Sequence, residues 1–248
     1  IKSNIPVNRG ISSSSALCVS FLKALNKYYD LSIDNKDLAL LAQKVERNYI
    51  GVRGGIMDQM ISSVGILNKA FFLNCHTLEY ELMDLSNNYL FCLVDSEVQR
   101  NLRDSQYNKR YEELKKAEKI LKVKLLATTN IKNLNNTHFK NSIIKKRARH
   151  VISENARVLK SKIALKKNDM IKFGKLMNES HKSYSIDFEA SNYEVDTMIK
   201  RSLNSGAIGS RLTGGGFGGF TVSLIEKDKY YQWKSSMLKF YNKNNFLK

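Results

Sequence analysis

The sequence has few of the residues that make disulfide frameworks or cross membranes. It has three cysteines, Cys18, Cys75 and Cys92, among 248 residues. They are odd in number, form no C-x-x-C pair and lie inside apolar runs. This pattern predicts buried free thiols in a reducing compartment, and we therefore expect a cytoplasmic protein. No run of 18 apolar residues occurs, so we expect no membrane-spanning helix.

Acidic residues are also scarce, since 23 Asp and Glu stand against 41 Lys and Arg for a net charge of +18. The excess is concentrated between Lys109 and Arg149, where only Glu112, Glu113 and Glu118 are acidic. One interpretation is a surface that binds nucleic acid. We favour a compositional bias towards lysine, because aromatic residues do not alternate with the charges as a base-stacking surface requires. Steeply salt-dependent binding to random DNA would support the first interpretation.

What the sequence does contain is enough apolar residues, 42% of the chain, for one large or two modest domains. Apolar periodicity predicts a first helix over residues 14–30, with one stripe formed by Leu17, Phe21, Leu22 and Leu25. Strand-like runs at 70–75, 78–83 and 89–95 have the spacing of antiparallel strands. Further helices are predicted over 105–121, 142–166, 169–181, 193–205 and 229–241, and residues 128–141 are predicted to be a loop.

A glycine and four serines run directly into the first predicted helix, as Gly10-Ile11-Ser12-Ser13-Ser14-Ser15. The first turn of a helix carries backbone N–H groups without intrahelical partners and a partial positive charge, which together suit a phosphate. A single serine before a helix is an ordinary N-cap. Four serines after a glycine are more than a cap needs, so a cap and a phosphate site both stay open. The stretch is not a P-loop, because no Gly-Lys-Ser/Thr follows.

Two further segments combine glycine with candidate functional residues. Gly51 to Met60 has three glycines followed by Asp58, a carboxylate among apolar neighbours that fits either a catalytic role or the first turn of a helix. Glu46, just before it, lies at the edge of an apolar helix stripe, where a solvated charge is the simplest interpretation. Residues 214–219 contain five glycines between two strand-like runs, which suits a hairpin tip or a backbone packed closely on a ligand.

In order and content these segments resemble the sugar kinases of the GHMP superfamily, and within it most closely the galactokinase family. Residues 6–17 resemble the family's phosphate loop, with Ile11 in place of Leu. Gly55-Ile56-Met57-Asp58-Gln59 resembles the galactokinase block Gly-Ile-Met-Asp-Gln, and residues 211–219 resemble the third family motif. The family's early Gly-Glu-His-Thr-Asp motif has no match. We therefore expect a chain truncated at its N-terminus, which would be inactive if made alone.

The resemblance implies an α+β fold of two domains with the active site between them. The first would be like domain 2 of ribosomal protein S5 and would cover residues 1–86, and the second would be ferredoxin-like and would cover residues 87–248. It also implies transfer of the γ-phosphoryl group of ATP to the anomeric hydroxyl of galactose, with Mg²⁺ as cofactor, in a protein that we expect to be a monomer.

Roles follow from the family motifs position by position. Ser14 and Glu46 would hold Mg²⁺, Asp58 would be the catalytic residue at the reacting hydroxyl, and Gly55, Asp58 and Tyr107 would contact the sugar. The ATP phosphates would be bound by Asn8, Arg9, Gly10, Ile11, Ser12, Ser13 and Ser14, with Gly214 and Gly215 on the nucleotide side. Two alternatives stay open: a related kinase for arabinose, N-acetylgalactosamine or a heptose, and a non-catalytic sugar sensor.

Overall fold

The computed structural model describes residues 2–7, 9–51, 54–98 and 106–247, with the side chain of Tyr107 outside that description. Helices and strands are mixed along the chain, which confirms the predicted α+β class. In order they are α1 (Ser13–Tyr28), α2 (Asn35–Val45), α3 (Met57–Val64), β1 (Lys69–Leu73), β2 (Tyr80–Asp84), β3 (Tyr89–Asp95), α4 (Gln106–Leu121), α5 (Ile131–Asn136), α6 (Ser142–Lys166), α7 (Met170–Ile186), α8 (Tyr193–Asn204), β4 (Gly209–Leu212), β5 (Phe220–Glu226) and α9 (Tyr230–Met237).

Three helices and a hairpin form the first region. Helix α2 packs against α1 and α3, and Asp34 fixes its start by accepting hydrogen bonds from the backbone N–H groups of Lys36 and Asp37. Strands β1 and β2 pair antiparallel, as their spacing predicts. A small apolar core joins the hairpin to α2 and α3, and it consists of Ala39, Ile56 and Met60 with Val64, Phe71, Leu73 and Leu78.

The second region is built on a three-stranded antiparallel sheet with β5 between β3 and β4. Helix α7 packs along β4, while α8 and α9 pack on β5. The main core between α8, α9 and the sheet consists of Val94, Met198, Ala207, Ile225, Trp233 and Met237. Register places Asp95 opposite Phe220, so the end of β3 lies beside the glycine loop, residues 213–219, that joins β4 to β5.

Helices α4, α5 and α6 pack together beside the second sheet, and they correct one prediction. Residues 128–141 are not all loop, because α5 lies inside them. Asn130 caps α5 through a hydrogen bond from the backbone N–H of Asn133, and Leu134 is fully buried in the core of these helices. A six-residue helix with one buried side chain has too short an apolar pattern for periodicity to detect.

The structure corrects three further expectations. On α1 the buried side chains are Ser15 and Val19, whereas Leu17 and Phe21 of the predicted stripe are about half exposed. Strand β3 joins the second sheet instead of the β1–β2 hairpin, because its apolar run pairs with β5. Cys18 and Cys92 are half-buried free thiols, but Cys75 is exposed in the turn between β1 and β2.

The chain passes from one sheet to the other between β2 and β3, and the domain boundary near Ser86 stays a prediction. Contacts connect the two regions, since Lys162 and Lys166 of α6 form ion pairs of 2.8 and 2.5 Å with Glu81 of β2. Lys162 also lies over the Phe72 ring, 4.2 Å from its centroid. In the part of the chain that the structure describes, no helix combines the length and the apolar character needed to cross a membrane.

Candidate active site

The serine turn, residues 9–15, enters helix α1 through two backbone positions of the left-handed region. Gly10 has φ 75° and Ser12 has φ 62°, a conformation that glycine adopts freely and that a serine adopts only at some energetic cost. Within the described chain, the Ser12 side chain makes no capping hydrogen bond to the first turn. The helix start therefore differs from an ordinary serine cap, and its first-turn N–H groups suit an anion.

Glu46 lies under this helix start and is 7% exposed. Its Oε1 accepts a hydrogen bond of 2.5 Å from the Ser14 hydroxyl, and its Oε2 accepts one of 2.8 Å from the Ser15 hydroxyl. The side-chain amide of Gln59 also donates to Oε2. All three donors are neutral, and among the described residues no lysine or arginine forms an ion pair with Glu46. No cationic side chain of the described residues is therefore paired with Glu46, and its carboxylate is available to a bound cation.

The field of this carboxylate reaches the neighbouring turn of α1. Burial, and after it the negative charge of Glu46, raises the pKa of the Cys18 thiol. Cys18 therefore stays protonated beside the serine turn, so the site has no thiolate that would compete for a cation.

The position of Glu46 overturns the interpretation as a solvated helix charge. The backbone N–H of Glu46 still donates to the Ala42 carbonyl, as in a regular helix, and one turn of π-helix over Glu46–Ile50 follows. Glu46 is buried because α2 packs against α1 and α3. In the sequence, Gln59 belongs to the Gly-Ile-Met-Asp-Gln block without a role of its own, although a polar side chain directly before Met60 and Ile61 was a usable signal.

Asp58 is the second residue of α3 and is half-buried. A carboxylate in the first turn interacts favourably with the helix dipole, so the position is stable without a catalytic task. Asp58 is adjacent to Gln59, whose side chain contacts Glu46. The loop before it is held by the Gly54 carbonyl, which accepts hydrogen bonds from the side chains of Gln43 and Arg47. Gly55 is exposed at this point.

The serine turn is fastened to the second sheet from the other side. The backbone N–H of Phe220 donates to the Arg9 carbonyl at 3.2 Å, and the Thr213 hydroxyl donates to the Gly10 carbonyl at 3.4 Å. Arg9 also forms an ion pair of 3.2 Å with Asp95, at the end of β3. Thr213 and Phe220, the two residues that flank the glycines, thus contact the serine turn directly.

The middle of the glycine loop packs on protein. A Cβ on Gly216 would lie 2.6 Å from the Ala190 carbonyl oxygen, and one on Gly218 would lie 2.8 Å from the Val98 carbonyl oxygen. The Phe217 N–H donates to the same Ala190 carbonyl at 2.7 Å. These glycines are therefore explained by close backbone packing, and the nucleotide roles of Gly214 and Gly215 stay predictions.

Two predicted site residues lie outside the described residues. Asn8, just before the serine turn, is one, and the side chain of Tyr107 is the other. Contacts join some of the remaining predicted residues into two groups. Ser14, Glu46 and the first turn of α3 with Asp58 meet at one place, and Arg9 and Gly10 meet the ends of the glycine loop.

The residues present fit a magnesium ion that is shared with a phosphate ligand. Over the described ranges there is no cluster of three or more His, Cys, Asp or Glu side chains that could enclose a metal by itself. Mg²⁺ is usually bound through one or two protein oxygens together with substrate phosphates and water. Glu46 with the Ser14 hydroxyl, at a helix start that suits an anion, is such a set.

Comparison with protein families defines the class first. The model described as "GHMP kinases N terminal domain" matches residues 1–66, and the model "GHMP kinases C terminal" matches residues 161–243. The first range contains the serine turn, Glu46 and Asp58, and the second contains the glycine loop. The chain therefore has the fold of a GHMP kinase.

Individual relatives show which family of GHMP kinases the chain belongs to. The chain is 37% identical to galactokinase of Exiguobacterium sibiricum over 92% of its own length and 60% of the relative, and 37% identical to that of Thermotoga petrophila over 98% and 69%. The crystal structure of Lactococcus lactis galactokinase complexed with galactose superposes with a TM-score of 0.92, at 31% identity, over 96% of this chain and 63% of that one. The chain belongs to the galactokinase family, and it spans about 60% of the length of the first of these relatives.

Proposed function

We propose that this chain carries the nucleotide and metal sites and part of the sugar site of a galactokinase. The reaction is transfer of the γ-phosphoryl group of ATP to the anomeric hydroxyl of galactose. The observation that carries the proposal is the buried Glu46 carboxylate, held by neutral donors directly beneath the start of α1. Such a carboxylate is costly to bury unless a cation completes it, and an ATP-dependent kinase supplies that cation with its nucleotide.

The nucleotide phosphates lie at the serine turn in this proposal. Backbone N–H groups in the first turn of α1 bind the phosphate oxygens, helped by the helix dipole. Residues 8–14 surround them, and Gly214 and Gly215 approach from the glycine loop. The hydrogen bonds of Thr213 and Phe220 to the serine turn keep these two loops at a fixed separation.

Mg²⁺, when bound, supplies positive charge to the phosphate oxygens on which charge develops during transfer. Ser14 and Glu46 would hold it, and the helix start beside them would orient the phosphates. Phosphoryl transfer depends on alignment and charge stabilisation more than on covalent help from the protein. A bound metal ion and a helix start that orients the phosphates are therefore sufficient for this part of the reaction.

The sugar lies beside the first turn of α3. Asp58 there contacts the reacting hydroxyl, which it orients or deprotonates. Gly55 leaves room for a ligand, because, apart from its chain neighbours, no atom of the described residues would lie within 4 Å of a Cβ at that position. Support for galactose as the sugar comes from the Lactococcus lactis enzyme, whose structure contains galactose and superposes with a TM-score of 0.92. We further propose a monomeric, cytoplasmic protein.

Calorimetric titration of the chain with ATP tests the metal and nucleotide sites. We expect ATP to bind more tightly with Mg²⁺ than with excess chelator, and Glu46→Gln to remove that difference. Equal affinity in both conditions would contradict the magnesium site.

The substrate is tested separately with the full-length gene product. Phosphorylation is measured against galactose, arabinose, N-acetylgalactosamine and a heptose, and we expect the highest kcat/KM with galactose. Highest kcat/KM with another sugar would assign a related kinase, and ATP binding without any transfer would assign a sugar sensor.

A further inference from the structure

Gln59 is a buried amide with one satisfied and one unsatisfied end. It is 4% exposed. Its Nε2 donates to Glu46 Oε2, while its Oε1 has no hydrogen-bond partner among the described residues. A buried carbonyl oxygen without a donor is unfavourable, so an apolar side chain of the same shape would suit this part of the core better.

The orientation of the amide follows from its neighbour. If the amide were turned over, its oxygen would face the Glu46 carboxylate, and two acceptors would repel each other. With the NH₂ group towards Glu46, the unfavourable feature that remains is the unsatisfied amide oxygen, and this costs less free energy than the repulsion between two acceptors. The contact with Glu46 is therefore what the glutamine at this position provides.

The two oxygens of Glu46 are not equivalent. Among the described residues, Oε2 accepts hydrogen bonds from both Ser15 and Gln59, whereas Oε1 accepts one from Ser14 only. A carboxylate oxygen has about two lone-pair positions, so Oε2 is saturated and Oε1 has one position left. Ser14, which shares Oε1, is exposed, whereas Ser15, which shares Oε2, is buried. The free position is therefore on the oxygen nearer to solvent and to the serine turn.

We propose that Gln59 is a positioning residue for the metal site. It anchors Oε2 together with Ser15, so that Oε1 and the Ser14 hydroxyl are left to face Mg²⁺. Gln59 follows Asp58 in the first turn of α3. Its contact with Glu46 therefore also fixes the position of Asp58, on the sugar side, relative to Glu46, on the metal side. This inference rests on the proposed function, since it needs a nucleotide-bound cation.

Glutamine suits this task for a reason of charge. An amide donates to Glu46 without bringing a positive charge of its own, so the carboxylate is left available to the cation. A lysine or arginine at the same place would form an ion pair and compete with Mg²⁺, and a glutamate would repel Glu46.

The test is Gln59→Met, which keeps an unbranched side chain of similar length and removes both amide groups. Mn²⁺ is titrated into the protein–ATP complex, and free Mn²⁺ is followed by electron paramagnetic resonance. We expect metal affinity to fall about tenfold, the lower end of the loss usual when a group that orients a metal ligand is removed. Thermal unfolding without metal should change little, because the lost hydrogen bond and the removed unsatisfied oxygen offset each other.

Ser63→Ala is the matched control. Ser63 lies one turn further along α3, is 5% exposed, and donates from its hydroxyl to the Asn35 carbonyl. Its removal should lower the thermal midpoint but leave Mn²⁺ affinity unchanged. If Gln59→Met behaves like this control, Gln59 has only a structural role and the inference is wrong.

Ser15→Ala keeps the test decisive if Gln59→Met does not fold. Both residues hold Oε2, so Ser15→Ala should also weaken Mn²⁺ binding, and the double variant should lose less than the product of the single losses. Unchanged affinity in Ser15→Ala would overturn the anchoring of Oε2. If the unmodified protein–ATP complex binds no Mn²⁺, the proposed function fails instead, and the two failures are thus distinguished.

Discussion

Two buried glutamates of this chain are satisfied in opposite ways. Glu46 is 7% exposed, and the described residues offer it only hydroxyl and amide donors. Glu113, on α4, is 9% exposed and receives two guanidinium groups, from Arg110 at 2.9 Å and Arg147 at 3.0 Å. The charge of Glu113 is thus neutralised inside the protein, whereas that of Glu46 is left for a cation. Burial alone does not distinguish a structural carboxylate from a functional one, but the charge of its partners does.

The Glu113 cluster also has a clear structural task. Its two arginines hold the backbone between α7 and α8, since Arg147 donates to the Asp187 carbonyl, and Arg110 donates to the carbonyls of Phe188 and Glu189. The next carbonyl, that of Ala190, accepts the Phe217 N–H of the glycine loop. The arginine cluster therefore supports the conformation of the glycine loop from behind.

Asp58 is a third carboxylate to compare with Glu46 and Glu113. Of the substitutions predicted below, its replacement should have the largest effect, which is on kcat. In Asp58→Asn of the full-length gene product we expect kcat to fall by about 10²–10⁴-fold, the usual contribution of a positioned acid or base. ATP affinity, measured by calorimetry, should stay within about twofold, because the phosphates lie at the serine turn. Near-normal turnover would mean that Asp58 only stabilises the start of α3 through the helix dipole and takes no part in the reaction.

Glu113→Gln should have the next largest effect, and it acts on stability. The substitution leaves two buried arginines without their shared carboxylate, and removal of one partner of a buried ion pair costs about 3–5 kcal/mol. Urea unfolding at neutral pH measures the loss. The control is Glu118→Gln on the same helix, whose ion pair with the more exposed Lys115 should contribute under about 1 kcal/mol. Equal losses in the two variants would contradict the structural role of the cluster.

His150 gives the same region a pH dependence. Its ring stacks on Phe188, in the segment that the arginines hold, and its Nδ1 lies 3.0 Å from the Ser183 hydroxyl. Burial lowers the pKa of His150 from 6.5 to about 4, although Glu154 acts in the opposite direction. The neutral ring is thus favoured in the folded state, so its stability contribution is complete above pH 6.5 and is lost as the pH falls towards 4.

We therefore expect unfolding free energy to fall by about 2 kcal/mol between pH 7 and pH 5 through His150 alone. His150→Gln should remove this part of the pH dependence. Some dependence of the same sign should remain, since burial also lowers the pKa of His181. An identical pH profile in the variant and the unmodified chain would show that His150 does not titrate in this range.

Features of the fold and the site that depend on local sequence could be predicted, whereas features that depend on contacts between distant segments could not. Long helices such as α6 and the β4–β5 hairpin follow from periodicity and glycine placement. The motifs paired Ser14 with Glu46, which are in hydrogen-bond contact, and the role of Asp58 stays a prediction. The burial of Glu46 could not be predicted, because it depends on the packing of α2 against α1 and α3 and on hydrogen bonds from Ser14, Ser15 and Gln59. The roles of Gln59 and Arg110 depend on contacts between distant segments, which local patterns do not contain.

Glu46→Gln should have the smallest effect on stability, and this sharpens the contrast with Glu113. A neutral amide removes the cost of burying a charge while it loses charge-assisted hydrogen bonds, so we expect the unfolding free energy to change by less than about 1 kcal/mol. Saturating ATP with Mg²⁺ should raise the thermal midpoint of the unmodified chain through binding to the folded state. ATP with chelator should raise it less, and in Glu46→Gln the two conditions should agree. If Glu46→Gln instead unfolded the chain as Glu113→Gln is expected to do, Glu46 would be a structural carboxylate and the distinction between the two would be lost.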